Sequence, residues 1–118
     1  MLPDQDGWRT PDADALLDAL LHLRTRDEAA AFMRDLCTLG ELHDLSQRWA
    51  VVRMLAGGLH YGEISRRTGA STATITRIGG WLRHGAGGDR LALERSGAAL
   101  APATPAAAAP SGAAGRAR

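Results

Sequence analysis

At 118 residues, 45% hydrophobic and 4% aromatic, the chain is the size of one domain with a modest aliphatic core, which a partner subunit would enlarge. A membrane span, which needs about 18 or more consecutive apolar residues, is excluded, the acidic start MLPDQDGWR is no secretory signal, and the single Cys37 forbids an intrachain disulfide, so a soluble cytoplasmic protein is expected. The net charge of +1 hides a division: residues 1–45 hold 10 acids and 4 bases, whereas residues 46–95 hold 8 arginines and 3 acids, a basic segment of the kind that attracts a polyanion.

Residues 1–10 read as an N-terminal arm. Thr10-Pro11-Asp12 then combines a hydroxyl cap, a proline in the first turn and an acid near the positive end of the helix dipole. Leu16, Leu17, Leu20, Leu21 and Leu23 follow at helical spacing and predict a first helix over about 11–24. Thr25 with Glu28 forms a capping box that opens a second helix, lined by Phe32, Met33, Leu36 and Cys37. Thr38 with Glu41 repeats the device and starts a longer helix through Leu42, Leu45, Trp49, Val52 and Leu55, which Gly57-Gly58 stops. Strand signals are nearly absent, so the fold class is all-α. A short helix through Leu91 and Leu93 closes a domain expected over residues 11–95, and residues 96–118, with 11 alanines, 3 prolines and 3 glycines, read as a disordered tail.

The segment YGEISRRTGASTATITRIGGWL, residues 61–82, carries the most information. Ile64 and Thr68 share one face of a short helix, Gly69 suits the left-handed backbone of a tight turn, Ala70 is small, and Ser71 can cap a second helix. Ile75, Ile78 and Leu82 give that second helix a buried stripe, while Thr72, Ala73, Thr76 and Arg77 lie on its other side. This is the pattern of a helix-turn-helix over 61–84, whose second helix enters a DNA major groove. Hydroxyls at the start of such a helix donate to or accept from either base class, directly or through water, and Ala73 and the threonine methyls suit a thymine methyl. Arg66, Arg67, Arg77 and Arg83 suit phosphates, and with Ser71, Thr72, Ala73 and Thr76 they make up the expected DNA-binding set. Glu63 is an acid near the start of its helix, favoured there by the dipole, and a carboxylate there would repel a phosphate or accept from a cytosine amino group.

Residues 35–77, DLCTLGELHDLSQRWAVVRMLAGGLHYGEISRRTGASTATITR, resemble the Trp repressor family, and more closely its YerC/YecD-like branch, with LCT, LSQR, Y-x-EI and TGASTATI-[ST]-R as the matching segments. The resemblance implies a Trp-repressor-like helical bundle, an intertwined homodimer and binding to two-fold symmetric double-stranded DNA, with half-sites about one helical turn apart. Thr72, Ala73 and Thr76 match its base-edge readers. It also implies a corepressor pocket: Arg48 and Arg77 match two arginines that sandwich an indole, and Thr38 and Thr74 match further lining residues. Ile78 and Trp81 stand where the repressor has glycine and serine, and their bulk implies that one of them fills the site. DNA binding without free tryptophan is therefore expected, with no cofactor or metal required, and an unknown small-molecule effector stays open as a partner.

Catalysis is not expected. His22, His43, His60 and His84 have no metal-site spacing, Cys37 has no histidine within its helix, and neither Gly57-Gly58 nor GAGG at 85–88 has the context of a nucleotide-binding loop. Two functions remain: a sequence-specific transcriptional regulator, expected to be a repressor, and a protein-interaction module on the same helical scaffold. Charge removal at Arg66, Arg67 and Arg77 separates them, because only the first loses DNA affinity and salt dependence.

Overall fold

The structure, a computed structural model, describes residues 7–97. Most of the expected arm, and the alanine- and proline-rich tail beyond Gly97, lie outside the described residues. Among those described there are six helices and no strand: α1 (Pro11–Leu21), α2 (Arg26–Leu36), α3 (Leu39–Ala56), α4 (Tyr61–Thr68), α5 (Thr72–His84) and α6 (Gly88–Ser96). The all-α expectation holds, and no helix among these residues is long and apolar enough to cross a membrane.

Local chemistry sets the boundaries. Thr10 Oγ1 accepts from the Ala13 N–H at 3.1 Å and caps α1. That helix ends at Leu21, short of the expected residue 24. Thr25 is the N-cap of α2 and must be extended (φ −127°, ψ 161°), with its Oγ1 accepting from the Glu28 N–H. Glu28 in turn reaches back to the Arg24 N–H at 2.8 Å, so Arg24 and Thr25 serve α2 and cannot continue α1. At α3 the box is reciprocal, with Thr38 Oγ1 accepting from the Glu41 N–H (3.1 Å) and Glu41 Oε1 accepting from the Thr38 N–H (2.8 Å). Its far end closes with the Gly58 N–H on the Leu55 carbonyl and the Leu59 N–H on the Met54 carbonyl, which requires Gly58 at φ +85°.

The span expected as one domain divides into two compact units, and the division falls within α3. The unit ending at Asp44 buries no residue of α1 or α2. Leu16, Leu20, Leu21, Leu36 and Leu39 are exposed there, Leu21 at 82%. The unit from Leu45 onward holds the core: Val51 and Val52 of α3, Ile64 of α4, Ala70 of the turn, and Ile75 and Ile78 of α5, all at most 3% exposed. Leu82 of α5 and Leu93 of α6 pack against it from less buried positions. Burying each of these Val and Ile side chains contributes about 1.5–3 kcal/mol, and the result fixes α4 and α5 against the second half of α3.

Candidate nucleic-acid interface

Gly69 adopts φ +80°, its N–H donating to the Ser65 carbonyl, and so ends α4 and turns the chain. The turn is tied from three directions. Thr68 Oγ1 donates to the Ile64 carbonyl at 2.7 Å and accepts from the Ala70 N–H at 3.1 Å. Ser65 Oγ donates to the Ala70 carbonyl at 2.7 Å. Gln47 of α3 donates from Nε2 to the Thr68 carbonyl at 2.8 Å, satisfying one of the carbonyls that a helix C-terminus leaves unpaired. Ala70, at 3% exposure, drops into the core between the two helices. Sequence reasoning missed Gln47 and Ser65 because a polar side chain announces no particular backbone partner.

Ser71 then caps α5, accepting from the Thr74 N–H at 3.1 Å and donating to Thr74 Oγ1 at 3.0 Å. Ile75, Ile78 and Gly79 are buried. Thr72, Ala73, Thr76, Arg77 and Arg83 are exposed, as are Arg66 and Arg67 of α4. The serine and three threonines at the start of α5 therefore divide. Ser71 and Thr74 are hydrogen-bonded to each other, whereas the hydroxyls of Thr72 and Thr76 have no protein partner among the described residues. Arg66 and Arg67 each pair with Glu63, Arg67 Nε lying 2.5 Å from Oε2. Arg77 reaches only Thr74 Oγ1, at 3.4 Å, and Arg83 makes no ion pair among the described residues.

A recess of about 250 Å³ is lined by Leu45, Arg48, Trp49 and Val52 of α3, Ile78 and Trp81 of α5, and Asp89 of α6. Of the six residues expected to form a pocket, Arg48, Ile78 and Trp81 reach it. Thr74 and Arg77 do not, since Thr74 is held by Ser71 at the start of α5 and Arg77 turns toward Thr74 on the exposed face. The Thr38 hydroxyl is taken by the cap of α3. Arg48 thus lines the recess and Arg77 does not. Ile78 is consumed by the core at 1% exposure, and Trp81, 47% exposed, stands as a wall and leaves the recess open. Among the described residues no group of His, Cys, Asp and Glu side chains is placed to hold a metal ion.

Two short helices joined through a left-handed glycine, the second capped and presenting small side chains flanked by arginines, define a protein of the helix-turn-helix class. The chain belongs to the Trp repressor family: the family described as Trp repressor protein matches residues 12–97. It is 41% identical over 90 residues to the uncharacterized protein YerC of Bacillus subtilis (strain 168), an alignment covering 76% of this chain and 86% of that one. Among solved structures it is similar to a candidate Trp repressor from Staphylococcus aureus, at 40% identity and a TM-score of 0.72 over 76% of this chain and 90% of the other. A TrpR-like protein from Eubacterium eligens ATCC 27750 is 42% identical, also with a TM-score of 0.72, over 75% of this chain and 92% of its own. The family is one of helix-turn-helix regulators, and the fold anticipated from TGASTATITR is the fold found.

Proposed function

We propose that the chain is a sequence-specific, DNA-binding regulator of transcription, a repressor that works in the cytoplasm as a homodimer on a two-fold symmetric operator. The carrying observation is the first turn and a half of α5. There Thr72, Ala73 and Thr76 are exposed, two of them with hydroxyls that no group among the described residues engages. An unpartnered hydroxyl on a short side chain lets the backbone approach a base edge and can read it directly or through water. Arg77 and Arg83 lie farther along the same helix and supply phosphate contacts, which position the helix without reading sequence. The exposed leucines of α1, α2 and the start of α3 supply the apolar surface with which a second copy associates.

Tryptophan is not required. The recess falls below the roughly 300 Å³ at which small-molecule sites begin, and only one of the two arginines needed to stack on an indole reaches it. Calorimetric titration of the protein with tryptophan is expected to give no heat of binding at micromolar concentrations; saturable micromolar binding would contradict this. The DNA-binding reading is tested by selection of the purified protein on random duplex DNA without tryptophan. Enrichment of a two-fold symmetric site is expected, and failure to enrich any motif speaks for an interaction module instead.

A further inference from the structure

The arginines around the motif are not in equivalent states. Arg77 and Arg83 of α5 meet no carboxylate among the described residues. Arg66 and Arg67 of α4 share one: Glu63 Oε1 pairs with Arg66 Nη2 and Oε2 with Arg67 Nε. Both oxygens of a single carboxylate thus hold two guanidinium groups, three and four residues on, over one turn of helix. Glu63 is also the one acidic residue between positions 45 and 88, a stretch that contains six arginines. A solvated helix face would scatter such a charge; here it sits where it cancels about half of the positive charge that α4 offers.

We infer that Glu63 is a specificity-determining residue of the DNA interface, through its pairing with Arg66 and Arg67; the inference rests on the DNA-binding reading above. Binding to arbitrary duplex is a sum over free positive charges and the counterions they displace. A carboxylate among those charges lowers affinity for every sequence. On the operator, base contacts from α5 fix the register, and the same carboxylate holds Arg66 and Arg67 in one geometry toward phosphates at set positions. Removing it adds charge everywhere but costs orientation only on the operator, so discrimination falls.

The experiment compares the full chain with Glu63→Gln on two duplexes, one bearing the site selected from random DNA and one with that site scrambled, over a series of salt concentrations. Affinity for the scrambled duplex is expected to rise two- to fivefold, about the strength of an exposed ion pair. The slope of log K against log salt should steepen there by about one unit. Affinity for the selected site should change less than the scrambled one, narrowing the ratio between them. The double variant Glu63→Gln, Arg67→Gln should return scrambled-duplex affinity to its starting value. Circular dichroism of each variant confirms that helix content is kept. Equal gains on both duplexes, or no gain on either while the unsubstituted protein still distinguishes them, overturn the role of Glu63 alone. Loss of that distinction in the unsubstituted protein overturns the DNA-binding reading and this inference with it.

Discussion

The Ser71 hydroxyl donates its one hydrogen to Thr74 Oγ1 and accepts from the Thr74 N–H, so it builds the start of α5 and has no donor left for a base. On the proposed function the readout falls to Thr72 and Thr76, whose hydroxyls have no partner among the described residues. Replacing Ser71 by Ala removes an N-cap and should cost about 1 kcal/mol of stability. Gln47→Ala strips the Thr68 carbonyl of its side-chain donor and should cost a similar amount, about 1 kcal/mol. Urea denaturation followed by circular dichroism measures both. Destabilisation by Ser71→Ala with an unaltered base preference is the outcome that separates capping from reading.

At the scale of the element, α5 is a buried stripe of Ile75 and Ile78 backed by an exposed row from Thr72 to Arg83. The row predicts that Arg77→Gln and Arg83→Gln each reduce the salt slope of DNA binding by about one unit while leaving the preferred sequence unchanged. Filter binding over a salt series checks this. Much of the element was legible in the sequence, because its devices are local: the Ser71 cap, the Gly69 turn and the Ile75/Ile78 period are written in consecutive residues. The end of α1 was not, since leucine periodicity runs on to Leu23 while Glu28 of the next helix claims the Arg24 N–H. Nor was the recess, whose wall includes Asp89 from across a glycine-rich turn. The pairing of Glu63 with both arginines depends on rotamers, and spacing alone permitted it without requiring it.

At the scale of the molecule, the two compact units differ in what they bury. The unit from Leu45 onward closes a small core of its own, whereas the helices of the preceding unit keep their leucines at the surface. A chain of this length gains stability by covering such surface with a second copy. Sedimentation equilibrium is therefore expected to give twice the 12.4 kDa of one chain. Leu20→Asp, placed on that apolar surface, should shift the protein toward the single-chain mass. A monomeric unsubstituted protein would leave the exposed leucines unaccounted for and would remove the basis for a two-fold symmetric operator.

Sequence readout by the Thr72 and Thr76 hydroxyls of α5 is the step on which the proposed function depends. It is tested most directly by parallel selection on random duplex DNA of the unsubstituted protein and of Thr72→Val, Thr76→Val, which keeps the shape of each side chain and deletes its hydroxyl. A two-fold symmetric motif is expected for the first protein. For the second, the expected motif is relaxed in base preference at matching positions in both half-sites, with the flanking positions unchanged. Identical motifs from the two proteins, or no motif from either, would contradict it.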